Sequence, residues 1–320
     1  MLQHKHNAKK KESHRGRLLQ IPIYLNKMFR MFIYMDDWKV LPMSALVAGA
    51  VCLVVGNRMF KNMEGTTMGA LALTCICIWN GFFNSIQSVC RERNIIKREH
   101  RNGMHISSYI FAHMIYQALI CLAQTLITLV ICVYGGMKFP EIGFVTGKVY
   151  VDFAISLFLI TYAADMLSLL ISCFAKNTTS AMTIMPFMLI FELLFSDNLF
   201  SLGETLKPIS NLSFAKWGVS LIAALSNYNS QPMVSVWNQM NKFKNVEISG
   251  TKPIGMMVDY ITQNNMKEQF CLQVGQNAQK AEFATTLTNI GNCWIALLLF
   301  AILFAVFSVL ILEGIDRDKR

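Results

Sequence analysis

Six windows of 18 to 32 residues carry at most two acidic or basic side chains each: 40–57, 65–90, 106–137, 149–175, 177–196 and 283–312. About 20 apolar residues, at a rise of about 1.5 Å each, cross a hydrocarbon layer roughly 30 Å thick. Lipid offers no hydrogen-bond partner to bare peptide groups, so each crossing has to be helical. The expected fold is therefore all-α membrane protein, with six transmembrane helices at about 38–57, 66–90, 107–134, 149–174, 178–198 and 287–312. Only 15% of the residues are charged, against about 25% in a soluble domain. That composition excludes a disordered chain and argues against a soluble enzyme.

The formal charge of +10 would suggest nucleic acid in a soluble protein. Here it reports orientation, and no nucleic-acid partner is expected. With both termini cytoplasmic, 18 of the 29 Lys and Arg fall inside, and seven of the 11 outside are spread over one long stretch. Short loops dominate the positive-inside rule, so a multi-pass protein with both ends in the cytoplasm is expected. About 38 residues precede the first span with no small-residue cleavage site after it, which argues against a cleaved signal peptide.

Residues 1–16 read as a disordered basic tail and 314–320 as a cytoplasmic tail. Between the first tail and the first span, 17–37 has amphipathic spacing. Leu18, Ile21, Leu25, Met28, Phe29 and Phe32 share one side, and Gln20, Lys27 and Arg30 the other. This predicts a helix along the inner leaflet, in contact with membrane lipid; a basic segment that only fixes topology has the same pattern. Residues 91–106 form a short charged loop, expected to be helical, with a stop at Asn102-Gly103. It suits either docking onto another protein or simple anchoring. Residues 199–286 are a long external segment, opening with Leu206, Ile209, Leu212 and Trp217 at the interface and continuing into a polar ectodomain.

Of the cysteines, Cys52, Cys75, Cys77, Cys90, Cys121, Cys132 and Cys173 lie in or beside apolar runs, while Cys271 is in a polar stretch. They read as small hydrophobes, and no metal site is expected. Chemistry within the membrane needs an acid/base pair, a zinc set or an activated nucleophile. The chain has no H-E-x-x-H or G-x-S-x-G, and His113 has no carboxylate in its own span. His113 is expected to be a satisfied polar residue, and no catalytic residue is assigned.

The order of elements resembles the membrane half of G-subfamily (white-type) ABC transporters, the type 2 exporter fold. That order is amphipathic helix, two spans, charged inside helix, three spans, external segment and final span. The run Cys90-Arg-Glu-Arg-Asn-Ile-Ile-Lys-Arg-Glu-His-Arg-Asn-Gly103, then Ser107-Ser-Tyr-Ile-Phe111, is similar to that family's Glu-Arg, Arg-Glu, Gly and Ser-Tyr-Phe pattern. Residues 177–196, followed by a Trp-containing re-entrant segment, are similar to its fifth span and external elbow.

The resemblance implies an ABC exporter permease that works as a dimer with a second copy or a paralogue. An ABC ATPase subunit would drive it and would hold the ATP and Mg, so this chain binds no cofactor itself. The nearest approach to a P-loop, Gly143-Phe-Val-Thr-Gly147-Lys148-Val149, lacks the G-x-x-x-x-G-K-[ST] spacing and falls outside in this topology. The ATPase is thus expected on another polypeptide, as in a prokaryotic plasma-membrane system.

Carried onto this chain, the coupling helix comprises Arg91, Glu92, Arg93, Lys97, Arg98, Glu99 and Arg101, with the two carboxylates giving directional ion pairs. The substrate pathway falls on Phe82, Phe83, Asn84, Phe187, Phe191 and Leu194, and the external gate on Leu199 and Phe200. Each pathway residue is equally suited to face lipid or pack a helix. Asp165 and Glu192 are costly inside a membrane; they read either as contacts for a cationic cargo or as a structural hydrogen-bonded pair. Ser196-Asp197 departs from the family's Ser-Gly. An ion-coupled secondary transporter using Asp152, Asp165 and Glu192 stands as an alternative, though the sequence shows no repeated halves. A non-transporting membrane subunit is a second alternative.

Overall fold

The structure is a computed structural model that describes residues 16–35, 37–56, 59–197, 202–247 and 250–317. The proposed gate residues Leu199 and Phe200, and the basic tail up to residue 15, lie outside these. The described residues are helical, with no strand among them. Helix α1 (Arg17–Tyr34) precedes α2 (Val40–Val55), α3 (Met63–Ser85), α4 (Ser88–Arg101), α5 (Ile106–Tyr134), α6 (Val149–Phe174) and α7 (Thr178–Leu194). Short α8 (Lys207–Ser210) and α9 (Phe214–Leu225) follow. Then come α10 (Ser235–Lys242), α11 (Pro253–Gln263), α12 (Lys267–Asn277) and α13 (Leu287–Glu313).

Side chains start several of these helices where four amides lack partners. Asn62 accepts from the Gly65 N–H, Asn177 from Ser180 and Thr286 from Asn289, which fixes the starts of α3, α7 and α13. Among the described residues, five helical stretches are long and apolar enough to cross a membrane: 37–55, 63–101, 106–134, 149–174 and 287–313. The expected fifth crossing is α7, at 17 residues about 25 Å long, shorter than any of those stretches.

The centre of the bundle is α6, flanked by α3, α5 and α13. Gly81 permits the α3–α6 approach, since a Cβ there would lie 2.4 Å from the Thr161 carbonyl oxygen and 2.7 Å from the Asp165 nitrogen. Helix α9, at 12 residues, is about 18 Å long, short of a hydrocarbon layer. It wedges among α3, α6 and α13, with Phe214, Val219, Leu221 and Ile222 fully buried. At its edge the Trp217 indole N–H donates to the Asn211 carbonyl at 3.1 Å.

Helices α10 to α12 make a separate small core of Trp237, Val258, Ile261 and Cys271. Cys271, expected in a polar loop, is instead 3% exposed within α12, because helical spacing turns it toward Trp237. This unit is tied to α3. The Glu64 carboxylate accepts from the Val234 and Ser235 amides at 3.0 and 2.6 Å, and Thr66 bonds Gln231.

Candidate functional site

One corner of the bundle is built around α4. Its first amides need acceptors, and the Ser172 hydroxyl of α6 accepts from both Val89 and Cys90 at 3.1 Å. The Arg93 guanidinium donates to the Cys173 and Ala175 carbonyls at 2.8 and 3.2 Å, a cation on the unpaired C-terminal carbonyls of α6. Glu92 is buried and accepts from Lys27 of α1 at 3.0 Å, and Glu99 stands 3.9 Å from the same ammonium. Arg91 holds Asp37 through two bonds at 3.2 and 3.0 Å. The turn at Asn102-Gly103 is clamped by Gln20, which donates to the Gly103 carbonyl at 3.1 Å and accepts from the His105 amide at 2.9 Å. Tyr24, packed edge-on against Tyr109, has its phenol pushed up to about 12 by burial and then by the Glu99 charge.

These contacts revise the amphipathic reading of α1. Gln20 and Lys27, assigned there to the polar side, face the bundle, while Leu18 is 80% exposed. The reason is local: the α4–α5 corner presents a bare carbonyl, a bare amide and a buried carboxylate, and only polar side chains satisfy them. No sequence signal marks Gln20, Lys27, Asp37 or Ser172 as the brace of α4.

Glu92 and Glu99 therefore point to α1. The outward stripe of α4 is Arg91, Asn94, Ile95, Arg98 and Arg101, at helical spacing, with Ile95 40% exposed. Lys97 is half-buried beside it.

Behind α4 lies a cavity of about 200 Å³. Among its walls are Lys27, Asn84, Tyr109, His113 and Gln117. The Tyr109 hydroxyl and His113 Nδ1 have no hydrogen-bond partner. His113 was expected to be satisfied, but its ring lies 4.7 Å from that of Tyr109 and its Nδ1 makes no bond. From the cavity a polar seam climbs one face of α5 through Gln117, Cys121, Gln124, Thr125 and Thr128, all buried. Asn84 and Gln124 exchange amide bonds at 2.8 and 2.9 Å. Cys121 donates to Asp165 Oδ2 at 3.6 Å, and Asp165 Oδ1, Ser85, Thr125 and Thr128 keep unpartnered oxygens.

The expected pathway residues do not share one surface. Phe82 is fully buried between α3 and α6, and its carbonyl accepts from Ser168 at 2.7 Å. Phe83 stacks on Trp79 at 5.3 Å, and Asn84 is taken up by Gln124. Phe187, Phe191 and Leu194 of α7 are exposed, at 69%, 39% and 40%.

Asp165 and Glu192 are not partners of each other. Glu192 accepts from the Ser213 hydroxyl at 2.8 Å and the Ala215 amide at 3.3 Å, so it caps the start of α9. Asp197 has φ +57°, a backbone that glycine adopts freely. Its carboxylate turns back to accept from the Leu202 amide at 2.7 Å.

The loop that approaches a P-loop in wording holds a carboxylate of its own chain. Asp152 accepts from the Val145 and Thr146 amides at 2.9 and 3.0 Å and from the Thr146 hydroxyl at 2.8 Å. An anion of the protein thus occupies the amides that a nucleotide phosphate would need.

An apolar helical bundle with a braced helix beside its second span is the build of a membrane permease domain. The ABC-2 type transporter family profile matches residues 23–225, and the chain belongs to that family of transporter membrane proteins. The match runs from the middle of α1 to the end of α9, and so includes the α4 corner and the α9 wedge. No curated protein matches the chain.

Proposed function

We propose that the chain is the permease subunit of an ATP-driven exporter. It pairs with a second permease copy or paralogue and is gated by a separate ABC ATPase subunit that holds ATP and Mg. In this reading it is not catalytic itself and lies in a prokaryotic plasma membrane. Both termini and α4 face the cytoplasm, and α7 completes the six crossings. The observation that carries the reading is the asymmetry of α4. Two sides are held by α1 and α6 through charge-assisted and backbone bonds, and the outward side presents Asn94, Ile95, Arg98 and Arg101. A helix braced in this way moves with the bundle, and a stripe of cations around an exposed isoleucine suits a groove with acidic walls and an apolar floor.

Cargo would pass along the exposed α7 face of Phe187, Phe191 and Leu194, whose aromatic character suits an amphipathic or apolar molecule. The deciding experiment reconstitutes this chain with candidate ABC ATPases in proteoliposomes. Vanadate-sensitive hydrolysis should depend on the chain and fall with Arg98→Glu. Hydrolysis indifferent to both would remove the proposal.

The unpartnered oxygens of Asp165, Ser85, Thr125 and Thr128 favour one second reading, an ion-coupled carrier. Uptake or efflux driven by a pH or sodium gradient, with no ATPase present, would select it.

A further inference from the structure

We propose that Cys52 and Cys132 form an oxidisable pair, a disulfide site that ties the outer end of α2 to the outer end of α5. The two sulfurs are 3.7 Å apart and both buried, although they are 80 residues apart in sequence. Each sits in the last turn of its helix, before Val55 in α2 and before Tyr134 in α5. A disulfide requires about 2.05 Å, so the sulfurs close by roughly 1.7 Å.

The approach is prepared by the backbone. A Cβ on Gly56 would lie 2.9 Å from the Gly135 carbonyl oxygen, and one on Gly135 would lie 3.0 Å from the Cys52 Cβ. Two glycines thus let the ends of α2 and α5 meet with the cysteines in register. Among the described residues the other seven cysteines have no comparable thiol partner in hydrogen-bonding contact.

Placement supplies the chemistry. The outward orientation of these helix ends rests on the topology proposed above, and disulfides persist on the outer, oxidising side of a membrane. With a peroxide as oxidant, the more accessible Cys52, as thiolate, attacks one peroxide oxygen. The O–O bond breaks, one water leaves and Cys52 becomes a sulfenic acid. The Cys132 sulfur displaces the sulfenic hydroxyl, which departs with the Cys132 proton as a second water. Two thiols lose two electrons and one peroxide becomes two waters.

The staple falls on the least embedded of the spans. Helix α2 leans chiefly on α5, while Leu46, Leu53 and Val54 are 66%, 90% and 80% exposed. Oxidation would fix this helix to the bundle, and reduction would return it to packing alone.

The test treats the purified full chain with hydrogen peroxide, then alkylates it after denaturation. The thiol titre should fall from the nine cysteines of the chain by two, and non-reducing peptide mapping should find the Cys52 peptide joined to the Cys132 peptide. In Cys52→Ala all the remaining thiols should persist, and in Cys132→Ala no disulfide should form, Cys52 alone being lost from the titre as its sulfenic acid. Should either variant fail to fold, the peptide map of the unaltered protein decides alone. An unchanged titre, or a linkage elsewhere, overturns the pairing.

In intact cells exposed to peroxide, a membrane-impermeant phosphine reductant added outside should restore both thiols. Restoration only after permeabilisation would leave the pairing standing and overturn the topology on which the proposed function depends.

Discussion

The two elbows of the molecule are held in opposite ways. At one elbow, α4 is fastened by Lys27–Glu92, Arg91–Asp37, Arg93 on the α6 carbonyls and Ser172 on its first amides. At the other, α9 is held by burial of nearly every residue it has, with one carboxylate, Glu192, at its start. Polar bonds are directional and fix an angle, whereas apolar burial is additive and fixes a position. The α4 elbow thus keeps a fixed angle to α1 and α6, and the α9 elbow a fixed depth among α3, α6 and α13.

The largest effect expected from this contrast is at Glu192. Glu192→Lys puts a cation against the α9 amides in a buried site and should cost about 3–5 kcal/mol, read as a large drop in melting temperature in detergent. Glu192→Gln should cost only about 1 kcal/mol. Equal melting of the two variants would mean that α9 does not depend on its cap.

Next is Phe214→Ala, a cavity in the wedge, expected to lower stability by about 3 kcal/mol. Limited proteolysis should then cut within 207–225, and continued protection there would count against burial as what holds the helix.

At the α4 elbow the expected effects on stability shrink while those on function grow. Lys27→Met strands Glu92 and should cost about 1–2 kcal/mol, less than full burial would give because the ammonium is part-exposed. Glu99→Arg, which sets two cations side by side against α1, should uncouple hydrolysis from transport while leaving membrane insertion intact. Unchanged export from a correctly inserted Glu99→Arg protein would refute the role given to the α1–α4 joint.

Arg98→Glu, on the open stripe, should alter stability by less than about 0.5 kcal/mol yet reduce ATPase-dependent transport roughly tenfold, equivalent to about 1.4 kcal/mol. A variant that melts normally and transports normally would show that this stripe meets no partner.

Most of the bundle could be read from the chain because uncharged length is itself the physical requirement for crossing lipid. The windows at 40–57, 106–137, 149–175 and 283–312 each became a helix of the matching register. The face of α1 was less legible. Periodicity shows which side of a helix is apolar, but in a membrane protein both lipid and the bundle accept apolar surface. The bundle took Gln20 and Lys27 because it had bare backbone groups and a carboxylate to satisfy.

Glu192 was recognised as anomalous, and Ser213, 21 residues later, could not be foreseen as its partner because no local rule couples positions on opposite arms of a re-entrant loop. Phe82 shows the same limit from the other side, since an aromatic at a pathway-like position is indistinguishable in sequence from one sealed between α3 and α6.

The α9 wedge also makes the bundle depend on its far end. Helix α13 packs against it from the side that α3 and α6 leave open. A chain cut short before residue 287 would leave that apolar flank uncovered.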